Sequence, residues 1–441
     1  MIHKLFVLFS LLICCHDLLA EQRRIGLRHD VDWSNYYDLG NNFGSFQPSE
    51  HYPDLSVVGA LISNDGALGT ATLVSPNHIV TAAHVFKNYY DETPNPAEWK
   101  FVLGADYSET STSLIYQIEE ISIHPAWIAR QKFTQDTYGD PLGDGDILGV
   151  DLATAKLDQS VKSIFPARLP SGSDDPIGLR AVLGGFGVLV DGRSGDRDSS
   201  NDRRLAGENI IDRSVAKVSR VGVADSHLGG LLGIDFDSID GDQNTLSQIL
   251  FATDPLLVEA REILESGDSE EFPLALEAST ADGDSGGPAF VRTRGSWRVH
   301  GVVSYGTTDS SYGDVTLYTR LASHYGWLKQ QLPDWADSKI LDESGWLENP
   351  WLGKIFPTGS NWVFHLSLGW IYFPSSKGNS FWGWSDLMKK WIWLSDQAFP
   401  FFYCSDIETY YWFFASLESS NGWELWGYDY SALSWKKYGG N

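Results

Sequence analysis

Short apolar runs broken by turn residues set the rhythm of the chain up to about residue 335. Residues 57–62 and 69–74 are two such runs, joined through Asn64-Asp65-Gly66, a hairpin signal whose turn needs the positive φ that glycine tolerates. Ser75-Pro76-Asn77 turns the chain into Ile79-Val80, and further strand candidates follow at 101–104, 115–123, 152–157, 181–187 and 299–304, spaced by Gly, Pro and Asp clusters. Many short strands between turn signals predict a β-barrel or sandwich rather than alternating βαβ units. Two stretches break the rhythm. Residues 191–204, rich in Gly, Asp, Ser and Arg, read as an exposed loop, and at 256–266 the apolar positions Leu257, Ala260 and Leu264 recur at helical spacing and predict a surface helix.

Beyond Trp335 the pattern changes. Twelve of the eighteen Trp lie between Trp346 and Trp435. Trp370, Trp391, Trp412 and Trp435 recur at intervals of 21, 21 and 23 residues, and Trp362, Trp382, Tyr403 and Trp426 at 20, 21 and 23. This is an internal repeat, one β-hairpin per unit, whose aromatic face must stack on its neighbours to be buried. So many rings in so short a segment also predict that some stay exposed, where they can stack on sugar rings or form a docking face. Gly369-Trp370-Ile371-Tyr372 and Trp391-Ile392-Trp393 resemble the aromatic repeats of cell-wall- and glucan-binding modules, without the regular glycines of those modules. The partner implied is a cell-surface or polysaccharide ligand.

At 441 residues there is material for two or three domains, and 42% hydrophobic with 20% charged residues is ordinary for a globular protein. A net charge of −26 argues against nucleic acid and anionic membrane surfaces as partners. Residues 1–20 read as a secretory signal peptide: His3 and Lys4, an apolar run to Cys15, then Ala20 before polar Glu21-Gln22. That run is too short to span a membrane, and no transmembrane segment is expected elsewhere. Ile13 before Cys14 argues against a lipid anchor. The expected location is therefore secreted, extracellular or periplasmic. Removal of the signal leaves Cys404 as the single cysteine, which rules out an internal disulfide. An N-terminal extension (21–50), a main β domain (51–335), a linker (336–350) and the aromatic repeat module (351–441) would follow the signal peptide.

Candidate chemistry centres on Gly283-Asp284-Ser285-Gly286-Gly287-Pro288, where glycines let backbone N–H groups approach a reacting carbonyl. A serine hydroxyl needs a positioned base, which His84 in Thr81-Ala82-Ala83-His84 can supply, and a buried carboxylate to fix the tautomer of that base. Asp151, opening Asp151-Leu152-Ala153, and Asp146, before Ile147-Leu148, can each begin an apolar strand; the alternation continuing to Leu157 favours Asp151. With the order His84, Asp151, Ser285 and His124-Pro125 upstream of the acid, the chain over about 25–335 resembles the chymotrypsin/trypsin-like serine peptidases.

That resemblance implies an all-β fold of two six-stranded barrels with the site between them, a long insertion around 188–275, and the aromatic hairpin module behind. It also implies a serine endopeptidase acting on protein or peptide, with no metal and no cofactor. The Gly283 and Ser285 amides would form the oxyanion hole. Ser279, six residues before the nucleophile, would form the pocket base, Ser304 and Gly306 one wall, and Thr316 the other. Such a pocket predicts small or medium uncharged side chains before the scissile bond; a slip that brought in Glu277 or Asp282 would restore a basic preference. Asp284 would be structural, and Arg24-Ile25 is the nearest match to the family's activation cleavage site. Animal members carry disulfides, so their absence suggests a bacterial-type member. Asp235, Asp237, Asp240 and Asp242 have the composition of a calcium loop without its spacing or its closing Glu, and the reading preferred is a solvated acidic loop. The alternative from another class is a catalytically silent binding or adhesion protein whose working part is the aromatic module; turnover of casein separates the two.

Overall fold

The computed structural model describes residues 25–87, 93–138, 149–162, 164–195, 197–198, 202–214, 230–248, 269–306, 310–342, 344–358, 361–374, 380–405, 409–416, 424–430 and 432–438. The signal-like segment, Asp146 and the helix expected at 256–266 lie outside these residues.

Six strands close into a barrel in the order Val58–Ser63, Leu68–Ser75, His78–Thr81, Ala153–Leu157, Ile115–Ile123 and Trp99–Leu103. The Asn64-Asp65-Gly66 hairpin turn forms as its sequence asks, with Gly66 at φ +94°. Leu61, Leu73, Val80 and Phe101 are fully buried in the barrel core. Gly59 makes room for the Phe101 ring: a Cβ there would lie 2.4 Å from it. Pro125–Tyr138 follows the fifth strand as a helix.

A second, seven-stranded sheet runs Leu205–Ile210, Arg180–Gly185, Pro288–Thr293, Ser296–Gly306, Val315–Arg320, Leu231–Asp235 and Arg213–Ser214. Its two ends do not pair as strands among the described residues; the Asn209 side-chain amide reaches across instead, donating to Asp235 O at 2.7 Å. The expected second barrel is thus a strongly curved sheet, drawn together by a side chain. Part of the stretch expected as an insertion is integral to it, because Leu205–Ile210 and Leu231–Asp235 are its strands. The helix Trp33–Gly40, N-capped by Asp32, is locked on by buried Arg204, which donates to Gly40 O (2.7 Å) and Val58 O (2.9 Å).

The C-terminal region is an eleven-stranded antiparallel meander from Lys339–Ile340 to Ser434–Tyr438 in which every strand pairs with the next in sequence. Each repeat unit, 20 to 23 residues long, corresponds to one hairpin, such as Ser380–Ser385 with Lys390–Ser395. The hairpins pair edge to edge instead of stacking face to face, and the reason is the period of two along each strand. In Lys390–Ser395, Ile392 and Leu394 are buried and Trp391 is 37% exposed. The buried face, with Ile355, Val363, Ile371, Phe381 and Phe402, forms a core of its own, covered by Leu352, Leu368, Met388 and by Trp335 from the preceding segment. Cys404, buried, belongs to it. No helix among the described residues is long and apolar enough to cross a membrane.

Candidate active site

His84 and Asp151 come from the closed barrel. Thr81 ends the strand His78–Thr81, and the chain turns at once into the short helix Ala83–Phe86, which carries His84 at the barrel rim. Asp151, fully buried, sits just before the strand Ala153–Leu157 that pairs with His78–Thr81. One carboxylate oxygen, Oδ1, accepts the backbone N–H of His84 at 2.9 Å. The other, Oδ2, lies 2.6 Å from His84 Nδ1 and also accepts Ser304 Oγ at 2.7 Å. Thr319 Oγ1 donates to Asp151 O at 2.9 Å. An ionised carboxylate accepts only, so this bond places the imidazole proton on Nδ1 and leaves Nε2 as the basic nitrogen.

Ser285 comes from the turn entering the second sheet. Gly283 and Gly286 have φ of +95° and +82°, which side chains with a Cβ rarely adopt. At Gly286 space demands glycine as well: a Cβ would lie 1.9 Å from Thr81 Oγ1 and 2.8 Å from Ala82 N. The nucleophile turn therefore presses on the residues that lead into His84. It is pinned on the barrel side, where Thr70 N donates to Ser285 O (2.8 Å) and Thr70 Oγ1 to Gly283 O (2.7 Å). On the sheet side Gly286 N donates to Val303 O (2.9 Å). Among the described residues, Ser285 Oγ makes no hydrogen bond, and the Gly283 and Ser285 amides donate to none. Two amides left pointing off one turn beside a serine can stabilise a developing oxyanion. A nucleophile–base bond commonly tightens only when substrate is present.

Asp284 braces the turn from below. Its carboxylate accepts Gly187 N (2.8 Å) and Ala281 N (2.9 Å). Burial pushes it up to about 8 while those two amides pull the other way.

The expected pocket residues do come together. Ser279 Oγ lies 3.2 Å from Thr316 Oγ1, which is 3.0 Å from Thr280 Oγ1, and Gly306 pairs with Thr316 across the sheet. The Ser304 hydroxyl, expected to line a wall, is engaged with Asp151. Glu277 faces elsewhere, accepting Asp237 N and Leu274 N. Three further residues support the site: Thr70, Thr319 and Asp314, whose Oδ2 is 3.4 Å from Ser279 Oγ. Nothing in their local sequence marks them, since each acts across a long-range contact.

Behind the pocket, Asp212, Asp235, Asp237 and Glu277 are all buried. Burial raises each of them, with neighbouring acids adding to the effect for Asp212 and Asp237. Asp240 and Asp242 of the calcium-like stretch are exposed instead, and no three His, Cys, Asp or Glu among the described residues are grouped to hold a metal.

Comparison with known proteins bears on this geometry. The trypsin family profile matches residues 47–210 and 260–328 and leaves out 211–259, a narrower insertion than the one expected. Urokinase-type plasminogen activator of Gallus gallus is 23% identical over 325 residues, 72% of this chain and 62% of that protein. Complement C2 of Bos taurus is 26% identical over 57% of this chain and 30% of its own length. Spermosin of Halocynthia roretzi is 37% identical over 15% of this chain and 18% of its own. The chain thus spans less than two thirds of each of these relatives, all of which are animal proteins.

Proposed function

This chain belongs to the trypsin family, and from that premise we propose that it is a secreted serine endopeptidase. The observation that carries this reading is the double grip of Asp151 on His84, through Oδ1 to the backbone N–H and Oδ2 to Nδ1, next to the turn that bears Ser285. A histidine held in that tautomer carries its basic lone pair on Nε2, the atom that can take and return a proton. In the proposed reaction Ser285 Oγ attacks the scissile carbonyl as His84 Nε2 takes its proton. His84 then gives that proton to the leaving amine, and Asp151 stabilises the imidazolium in between. The Gly283 and Ser285 amides hold the oxyanion, and loss of one such donor costs on the order of 10²–10³ in turnover. Water, activated by the same histidine, releases the acyl group.

A fluorophosphonate probe tests the assembly. It should label the wild type and not Ser285→Ala; a wild type that resists labelling sinks the triad.

Secretion is supported by the signal-like composition of residues 1–20. Cleavage after Arg24 is supported by the docking of the following residues: Ile25–Leu27 pairs with Leu189–Asp191, and Gly26 O accepts the N–H of the pocket residue Ser279. Active protein whose first residue is anything but Ile25 would end that idea. Cys404, buried and unbridged, supports a branch that relies on packing instead of disulfides, as bacterial-type members do. The pocket floor of Ser279, Thr280 and Thr316 supports a side chain of medium size before the scissile bond. For the aromatic region the proposal is a tether to a polysaccharide or cell surface, supported by the exposed rings of Trp370, Trp382, Trp391 and Trp435.

A further inference from the structure

We infer that Asp314 makes the primary pocket select a cationic side chain, in place of the uncharged one expected from Ser279 and Thr316. The inference rests on the endopeptidase reading above. Two contacts fix where the carboxylate is. Asp314 Oδ2 lies 3.4 Å from Ser279 Oγ at the pocket floor. It also lies 3.5 Å from the point where a Cβ on Gly306 would sit. Gly306 is the wall residue whose missing side chain leaves the pocket open, so the carboxylate lies between floor and wall, on the side where the entering side chain must end.

The backbone keeps it there. Asp314 Oδ2 accepts the Ser310 N–H (3.2 Å) and Oδ1 accepts the Val315 N–H (2.9 Å). Two amide donors favour the charged form of a carboxylate and hold its orientation. Asp314 is 2% exposed, so its charge acts through protein instead of water and the attraction is little screened. Thr316, hydrogen-bonded to both Ser279 and Thr280, completes the floor, so that a head group reaching it ends beside Asp314 and Ser279. An ammonium or guanidinium there finds one carboxylate and one hydroxyl oxygen as acceptors. A neutral aliphatic end brings no donor to that polar floor and no charge to offset the carboxylate, a mismatch that binding sites of this kind penalise.

The family places its selecting acid at the position of Ser279, which is why a position-by-position reading misses Asp314. The acid arrives from the residue just before the strand Val315–Arg320, two residues before Thr316, and only the fold shows it as a neighbour of Ser279.

The test uses three peptides that differ only before the scissile bond: Lys, Arg and norleucine, the last a neutral side chain that keeps the lysine stem without its ammonium. For the wild type, kcat/KM should favour Lys or Arg over norleucine by at least tenfold. In Asp314→Asn that ratio should fall about thirtyfold or more, the usual consequence of removing one partner of a buried charge pair. The double variant Asp314→Asn/Ser279→Asp should recover a cationic preference, because it returns one negative charge to the same floor. A second arm needs no chemistry: binding of the Arg and norleucine peptides to Ser285→Ala and to Ser285→Ala/Asp314→Asn, by fluorescence anisotropy. Cleavage with norleucine equal to or better than Lys and Arg overturns the inference and leaves the endopeptidase reading standing. No cleavage, with Asp314-dependent binding of the Arg peptide, sustains the pocket and removes the endopeptidase reading. Binding that is absent, or equal for the two peptides, overturns the inference.

Discussion

The closed barrel and the C-terminal sheet obey the same alternation along their strands and bury aliphatic residues and phenylalanine alike, but the sheet leaves tryptophans on an open face. In the barrel, closure gives the inward face an enclosed interior, and the large ring of Phe101 is inside it with the aliphatics. In the C-terminal sheet Ile371, Ile392 and Leu394 are buried, while Trp370, Trp382 and Trp391 are 42%, 45% and 37% exposed on the other face. A ring-rich repeat therefore says which residues share a face and does not say which face is covered. The rings are not idle on the open side. Trp384 and Trp391 meet edge to face at 6.0 Å, as do Phe364 and Trp370 at 5.3 Å, so cross-strand neighbours cover part of each other. Closure removes edges from the barrel, whereas the sheet must manage two. One ends in the two-residue strand Lys339–Ile340 and the other carries Lys436 and Lys437, both of which discourage pairing with another chain.

The largest effect expected separates the two regions by chemistry. Ser285→Ala should lower peptide turnover by on the order of 10⁶. The tryptophan-dominated near-ultraviolet circular dichroism should stay that of the wild type, because the aromatic sheet has its own core and contributes none of the proposed triad. A change in that spectrum would show that the two regions are coupled through the nucleophile turn.

Next in size are two changes at and beyond the junction. Arg298, fully buried in the second sheet, donates to Asp396 of the C-terminal region at 3.0 Å. Asp396→Ala should cost about 3 kcal/mol in urea unfolding, the low end for a broken buried pair, since Asp174 Oδ2 remains 3.9 Å from Arg298. A chain ending at Ser338 loses the same partner and uncovers Trp335, so it should be less stable yet still cut small peptides. Ile392→Ala, inside the sheet's core, should cost about 2–5 kcal/mol. If Asp396→Ala abolishes turnover in folded protein, the sheet belongs to the catalytic unit and the contrast drawn above fails.

The regions should also part company with pH. Burial, with neighbouring acids adding to it, pushes Asp212, Asp237 and Glu277 up in the folded protein, to about 10, 9 and 8. In the unfolded chain they ionise near pH 4. Between those values the unfolded state has released protons that the folded state keeps, so their stabilisation is complete below about pH 4 and is lost as pH rises through the folded values. His365, in the aromatic sheet, is shifted the other way, down to about 4 by burial; its contribution is present above its unfolded value of about 6.5 and is lost on acidification. Raising the pH from 7 to 9 should lower the urea midpoint of the protease half and leave that of the sheet alone. Asp212→Asn should flatten the dependence, and a midpoint that rises with pH would contradict the burial argument.

How much of this the sequence disclosed follows the range of the interactions. The Asn64-Asp65-Gly66 turn, the strand Ile115–Ile123 and the hairpin in each aromatic repeat were legible because local φ preference and a period of two determine them. Ser285 and His84 were legible as well, for glycine geometry is written in adjacent letters. Asp314, Thr70 and Arg298 were not, because each acts on residues more than thirty positions away, across strands whose partners the sequence does not name. The face buried in the C-terminal sheet was misjudged for a related reason: alternation gives two candidate faces, and what covers one of them, Trp335 and Leu352 among others, comes from outside the strands.

The smallest effect tests that last point on two adjacent residues. Trp391 is the larger side chain, and size alone would make its loss the more damaging. Its environment says otherwise. Trp391 is 37% exposed and its main described ring contact is the edge-to-face meeting with Trp384, a type of pair worth about 0.5–1.5 kcal/mol beyond its buried area. Ile392 is fully buried, and truncating it leaves a cavity that the paired strands on either side cannot close. Trp391→Ala should therefore cost about 1 kcal/mol, well under the loss for Ile392→Ala, and urea midpoints of the two variants measure the difference directly. The same pair sharpens the tether proposal. An exposed ring that contributes little to folding is free to contribute to binding, so Trp391→Ala should weaken retention on an insoluble polysaccharide while Ile392→Ala, at a temperature where it remains folded, should not. If Trp391→Ala destabilises as much as Ile392→Ala, the rings hold the sheet together and the open face is structural.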